Sequence, residues 1–285
     1  MPGFLWNLSA FKQKYITEEW NMRILSSKVK PFILRRTKEE VLKDLPPKVE
    51  EVIKLEMWDK QKAFYEKLKT TFRLQITKEL EENWLNKARF QVLDSLLKLR
   101  QACLMPELVN MEGNKLTESI KIKYIEENIE DMIWKWHNLL IFSQFTGFLK
   151  YVKVVLDKRW INYNYLDGQV KKEDRKKLVD SFNSGDVNVF IISLKAWGTW
   201  LNLTSADYVI HLDPWWNPAV ENQATDRAHR MWQEKTVFVQ KLIIAGSIEE
   251  KILSLQEKKK KLIDDVFSGN FSGSLNENDI KFIFD

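Results

Sequence analysis

Residues 187–233 read VNVFIISLKAWGTWLNLTSADYVIHLDPWWNPAVENQATDRAHRMWQ. An apolar run from Val187 to Ile192 ends in small and polar residues that extend from Ser193 to Thr204. A second run, Tyr208 to Leu212, ends in Asp213-Pro214-Trp215-Trp216-Asn217-Pro218, and Pro218 suits the first turn of a helix. Short apolar runs bounded by turn residues are the pattern of buried strands, so two strands each open into a polar loop, and the second loop leads into a helix. In open α/β sheets ligands gather at such strand C-termini.

The predicted helix carries Gln223, Asp226, Arg227 and Arg230. Arg227 and Arg230 are three apart and share a helix face, with Gln223 one turn back. Two guanidiniums and an amide arranged this way suit a polyphosphate, because Arg is always charged and presents fixed donors. A solvated basic helix face has the same spacing. The whole string separates the two readings. ISLKA-x-GT-x-LNLT, DPWWNPAVE and QATDRAHR-x-x-Q closely resemble motifs V and VI of the Swi/Snf family of DNA-dependent ATPases, helicase-like translocases built from two RecA-like lobes.

Working outward, residues 34–48, LRRTKEEVLKDLPPK, resemble the connector with which the family's first lobe hands over to the second. Pro46-Pro47 stops any helix there. From Asp59 to Met105 the pattern is helical: Phe64, Leu68, Phe72 and Ile76 recur every four residues, and Leu93, Leu96, Leu97 and Leu99 follow. This stretch resembles the family's protrusion; Met105 stands where the family commonly has His. Residues 117–265 alternate in an α/β manner, with strands expected at 139–142, 163–166, 188–193, 207–212 and 236–243 and helices at 147–158 and 171–182. Gly185 is placed for a left-handed helix end, and Ser247 with Glu250 forms a capping-box pattern for a last helix. The expected fold is α/β, a RecA-like parallel sheet with helices on both faces, preceded by a helical insertion. The expected division is 1–45, end of the first lobe and connector; 46–115, helical protrusion; 116–265, C-terminal RecA-like lobe; and 266–285, tail.

Composition sets bounds on what else the chain is. Its 285 residues suffice for a substantial core, and 45 basic against 40 acidic residues give +5, which permits nucleic-acid binding without requiring it. Cys103 is alone, and His137, His211 and His229 are scattered, so neither a disulfide nor a cysteine or histidine metal cluster is expected. No signal peptide and no apolar run of transmembrane length occurs, which points away from a membrane and to the cytoplasm, with nucleoid association in a bacterium.

The resemblance implies specific roles. Phe142-Ser143-Gln144-Phe145-Thr146 corresponds to motif IV and Tyr165-Leu166-Asp167-Gly168 to the next loop. With motif V these would hold the phosphate backbone of one strand of duplex DNA through Thr146, Asp167, Gly168, Ser193, Thr199 and Asn202. Hydroxyls at such places also serve as caps and turn formers. Trp216, with Trp215, would stack on bases or sugars, or else pack a corner. Gly198, Gln223, Arg227 and Arg230 would bind ATP, with Arg227 and Arg230 catalytic and Arg230 as the finger on the γ-phosphate. No G-x-x-x-x-G-K-[ST] loop and no acidic magnesium box occurs in the sequence. In the family both belong to the first lobe, so ATP with Mg2+ requires that missing lobe, and the chain alone is expected to be inactive. DNA-bound protein is the implied cargo. The alternatives are an inactive nucleic-acid or partner-binding fragment and an RNA helicase lobe.

One departure is systematic. The sequence has 12 Trp and only 9 Gly, against an ordinary Gly share of about 7%. Trp6, Trp136, Trp160, Trp197, Trp200 and Trp232 stand at positions where the family has Gly. Glycine serves where the backbone turns left-handed or approaches a ligand closely. The pattern is expected if the source reads UGA as Gly and the sequence was translated with UGA as Trp; a decayed motor lobe is the rival. Converting all but Trp215 and Trp216 brings glycine near its usual share.

Overall fold

The computed structural model describes residues 44–81, 85–111, 116–194 and 201–257 with scattered residues between 7 and 42; the side chains of 77–90 lie outside the description. Two compact units result, 1–43 with 253–283 and 285, and 44–252 with 284. In the first, Asn7 Oδ1 accepts from the Ala10 amide, and Lys30–Phe32 form a short 3-10 helix. Most of the connector string, Trp6, residues 195–200 and the tail lie outside the described residues.

The second unit is built on a six-stranded sheet. Its strands are β1 (Lys48–Leu55), β2 (Leu139–Ser143), β3 (Tyr163–Leu166), β4 (Val189–Ser193), β5 (Tyr208–His211) and β6 (Val237–Ile244). They are all parallel, in the order β1-β6-β5-β2-β4-β3. Every residue of β2 and β4 is buried, as a parallel sheet covered on both faces requires. Helices α1 (Asp59–Glu81) and α2 (Leu85–Leu104) form a hairpin ahead of α3 (Ile120–Trp134), α4 (Thr146–Lys158), α5 (Lys172–Ser184) and α6 (Pro218–Thr225).

Alternation of side chains along the strands divides the core in two. Leu139, Ile141, Val189, Ile191 and Ile210 pack with Ile125 and Ile129 of α3 and Phe148 and Val152 of α4. Leu140, Phe142, Phe190, Ile192 and Val209 pack with Val179 and Phe182 of α5 and Ala224 of α6. The expected architecture is therefore present, and the five strands and two helices with expected bounds begin and end within two residues of them. The hairpin is fastened at its base: Gln61 Nε2 donates to the Ala102 and Cys103 carbonyls, and Gln61 Oε1 accepts from the Ile120 amide. Lys121, fully buried, joins Glu249 at 2.7 Å and donates to the Leu212 and Leu242 carbonyls, so its charge is surrounded by acceptors.

Two features differ from expectation. Lys48–Leu55, within the stretch read as helical, is an edge strand registered along the whole of β6. At the last helix, Glu250 accepts from the Gly246 amide rather than from Ser247, because the positive φ of Gly246 (67°) turns that N–H toward it; Ser247 Oγ accepts from Glu249 instead.

Three helices end by one device. In α5, Gly185 (φ 85°) donates to Phe182 O and Asp186 to Ser181 O, the paired bonds of a Schellman turn. In α3 the same bonds run from Trp136 to Ile133 O and from His137 to Met132 O; in α4 they run from Trp160 to Asp157 O and from Ile161 to Leu156 O. Trp136 and Trp160 thus hold the left-handed position, at φ 61° and 56°. Trp232 is at φ 79°, and these three tryptophans are the non-glycine residues with positive φ among those described. They are 83%, 93% and 87% exposed, so no packing by the indoles offsets the backbone strain.

Candidate functional site

Because the strands are parallel, their C-termini share one rim. The chain leaves β2 toward β4 and β3 but leaves β5 toward β6, so the topological switch point lies between β2 and β5. That crevice is filled by the protein itself. Asp213, buried just past β5, accepts at Oδ1 from Ser143 Oγ (2.6 Å) and the Gln144 amide (3.1 Å). Its Oδ2 meets Arg100 Nη2 of α2 at 3.1 Å. A ligand therefore meets the loops above the crevice and not the crevice itself.

The loops are held firmly. Arg100 Nη2 and Gln144 Nε2 both donate to the Pro214 carbonyl, at 2.9 and 3.0 Å. Glu221 Oε2 accepts from the Trp215 amide, and Lys241 bridges Glu221 at 2.9 Å and Glu50 at 3.2 Å. Burial opposes ionisation of Glu50, yet Lys48 and Lys241 bring its pKa down to about 2. Of the sequence-predicted DNA contacts, Thr146 is exposed as the first residue of α4, and Asp167, half-buried, accepts from Tyr165 Oη and the Gln169 amide. Gly168 is open to solvent, Trp216 is partly buried, and Ser193 is fully buried, its hydroxyl without a hydrogen-bond partner among the described residues. Ser193 is the last residue of β4, and the other four follow strand ends on the same rim. Asn202 does not join them: its carbonyl accepts from Asn183 in the last turn of α5, toward the opposite rim, where β4 begins. Gly198 and Thr199 lie outside the described residues.

The arginines correct the sequence reading. Helix α6 ends at Thr225, so Arg227 and Arg230 sit in the turns that follow and share no helix face; Gln223 is exposed on α6 itself. The helix stops there because its continuation is stitched to the loop before β5. The Arg227 carbonyl accepts from the Leu203 amide, and Gln233 Nε2 lies within 3.0 Å of the Thr204, Ala206 and Ala228 carbonyls. His229 donates from Nε2 to the Pro46 carbonyl at 2.7 Å, tying the turn to the chain just before β1. Burial, and then the charge of Arg230, pull the Arg227 pKa below its usual value, and Arg227 Nε is buried without a hydrogen-bond partner among the described residues.

Sequence reasoning passed over Arg100, Asp213 as a hub, His229 and Gln233. An arginine among apolar residues in LLKLRQACLM and an acid directly after a buried strand were the available signals.

His211 links β5 to α6. Its ring stacks on Phe142 at 5.3 Å, and Nε2 lies 3.0 Å from Thr225 Oγ1. The Thr225 hydroxyl donates to the Glu221 carbonyl, so it accepts from the ring and His211 is neutral with its proton on Nε2. Burial lowers its pKa, and Nδ1, buried without a partner among the described residues, offers no acceptor for a second proton. The folded value lies below the unfolded one of about 6.5, so this stability is present above pH 6.5 and is lost as pH falls below it. Urea unfolding between pH 7.5 and 5.5 is expected to weaken by up to about 1.4 kcal/mol per pH unit more than in His211→Gln. Equal slopes in the two proteins would remove His211 as the cause.

The comparisons bear on the family and the fold. Residues 120–231 match the family described as Helicase conserved C-terminal domain, and residues 1–108 match the SNF2-related domain. This chain belongs to the Swi/Snf family. It is 36% identical to an uncharacterized ATP-dependent helicase of Mycoplasma pneumoniae, over 100% of this chain and 27% of that protein. It is also 36% identical to the putative ATP-dependent helicase/translocase YwqA of Bacillus subtilis, over 99% of this chain and 32% of that protein. The Swi/Snf chain thus spans roughly a third or less of the length of these relatives. The Sulfolobus solfataricus SWI2/SNF2 ATPase core in complex with dsDNA is similar at a TM-score of 0.65 and 32% identity, covering 94% of this chain and 58% of that one. The C-terminal domain of that ATPase is similar at 0.63 and 28%, covering 83% and 97%. The six-stranded sheet accordingly matches the RecA-like C-terminal domains of SWI2/SNF2 ATPases.

Proposed function

We propose that this chain is the C-terminal half of an ATP-dependent motor that translocates on duplex DNA and displaces or remodels bound protein. The observation that carries the reading is the buried Arg227 Nε, without a hydrogen-bond partner among the described residues, with the exposed Arg230 three residues on. Such a donor fits a phosphate oxygen. Arg227 would orient the nucleotide, and Arg230, exposed, would reach the γ-phosphate as charge develops there, with Gln223 and Gly198 as the other expected nucleotide contacts. Among the described residues no three His, Cys, Asp or Glu side chains are grouped to hold a metal. The Mg2+ that accompanies ATP is assigned to the preceding lobe, and no step here passes through it. Thr146, Asp167, Gly168, Thr199 and Trp216 would follow one DNA strand by its backbone, with little sequence preference, while Asn202, bonded to Asn183, and the buried Ser193 hydroxyl drop out of the expected set.

The test is binding of a labelled duplex across a salt series. Several phosphate contacts should weaken it by at least about tenfold between 50 and 200 mM salt. Salt-independent binding, or a preference for RNA over duplex DNA, would reject the translocase track, the latter in favour of an RNA helicase lobe.

We also infer that Trp6, Trp136, Trp160, Trp197, Trp200 and Trp232 are glycines in the protein its source makes, with UGA read there as Gly. The support is conformational: at 136, 160 and 232 the backbone takes the left-handed form that glycine supplies without strain. The codons at these six positions should be UGA while those of Trp215 and Trp216 are UGG. UGG throughout would instead favour the rival reading, a degenerate lobe that at most binds.

A further inference from the structure

We propose that Arg100 is the positioning residue for both loops above the switch point, and that through it the α1–α2 hairpin sets the grip of the lobe on DNA. This rests on the reading of those loops as the DNA track. The loop after β2 carries Gln144, Phe145 and Thr146; the loop after β5 carries Asp213 through Trp216. Arg100, near the end of α2 and buried, touches both. Its guanidinium carbon lies 5.1 Å from the Phe145 ring centre, and Nη2 joins Asp213 Oδ2 and the Pro214 carbonyl.

The contact set is selective. Phe145 is the residue that opens α4, and no side chain caps that helix. Its backbone N–H is held by Ser143 Oγ, which itself donates to Asp213. The position of the α4 N-terminus, and so of Thr146, therefore follows from the carboxylate that Arg100 neutralises. The Pro214 carbonyl, two residues before Trp216, is held jointly by Arg100 and Gln144. A planar fork stacked on a ring and bonded to a carboxylate fixes orientation as well as charge, which an ammonium does not. Since Arg100 belongs to α2, a force on the hairpin reaches both loops through one side chain, without passing through the sheet.

The test compares the parent chain with Arg100→Lys. Backbone amide exchange at Gln144 and Phe145 should accelerate about tenfold, and the duplex dissociation constant should rise about tenfold, while the amides of Ile191 and Val239 keep their protection. Unchanged exchange at Gln144 and Phe145 overturns the assignment. Equal acceleration at Ile191 and Val239 also overturns it, since that marks a general loss of stability. Faster local exchange with DNA binding unchanged keeps the positioning role and removes the loops from the DNA track. If Arg100→Lys does not fold, Arg100→Gln is read by the same criteria; it donates to Asp213 but cannot also span Pro214 while stacked on Phe145.

Discussion

Replacing Trp136, Trp160 and Trp232 together by glycine is expected to stabilise the protein by about 3 kcal/mol and to raise its melting temperature by about 6–12 °C. Each of the three is a bulky residue at φ 56–79°, and each indole is almost wholly in solvent. An L-residue in that conformation loses roughly 1–2 kcal/mol to the contact between its Cβ and the backbone. Glycine removes that strain but brings a more flexible unfolded chain, a penalty of about 0.5–1 kcal/mol, so the net gain is close to 1 kcal/mol per site. Trp134 is the internal control. It is also exposed, but it lies in the last turn of α3 with ordinary helical geometry. Trp134→Gly should lower stability by about 0.5 kcal/mol. If the triple variant melts at or below the parent temperature, the left-handed tryptophans are accommodated and the inference of glycine at these positions fails. Thermal melts of the two variants beside the parent settle it.

Arg230→Ala, assayed in the chain joined to its nucleotide-binding first lobe, is expected to reduce DNA-stimulated ATP hydrolysis by about a thousandfold or more. The folded lobe should be unaffected, because the Arg230 side chain is exposed. Duplex affinity without nucleotide should also be unchanged, which separates the finger from the DNA track. Arg230→Lys should recover little, since an ammonium lacks the planar fork that meets two phosphate oxygens. Arg227→Ala should behave differently. The Arg227 side chain is partly buried, so its truncation leaves a gap beside the turn, and both nucleotide affinity and local order are expected to suffer. Hydrolysis retained in Arg230→Ala would move the finger to another residue.

How much of this was legible in the sequence depended on what each segment buries. Strands β2, β4 and β5 read correctly because both their faces are covered, which leaves continuous apolar runs. Strand β1 did not, because KVEEVIKL lies at the sheet edge with Val49 and Val52 exposed and its charges pointing to solvent or to Lys241. Its partner β6 is far away in sequence, and no local pattern announces such a pairing. The site divides in the same way. Motif residues placed the loops on the rim, but spacing alone gave Arg227 and Arg230 a helix that tertiary hydrogen bonds to Leu203 and Gln233 cut short. The Asp213 hub was invisible because its partners, Arg100, Ser143 and Gln144, come from two other parts of the chain. Glycine-to-tryptophan departures were the reverse case. They stood out in the sequence, and the backbone dihedrals supplied their physical meaning.

The parallel pairing of β1 with β6 has a consequence for how the lobe is made. Lys48 is registered with Val237, so the strand at one edge waits on a ribosome that has still to deliver nearly the whole lobe. At synthesis rates of about 5–20 residues per second, that interval is on the order of 10–40 s. Throughout it the β1 segment has no neighbour, in a crowded setting where bare strands recruit other chains. Its lysines and glutamates, which contribute little to the finished core, resist such recruitment while the segment waits. The same residues that hid this strand from a hydrophobicity pattern are thus suited to keeping the nascent protein soluble until its last strand arrives.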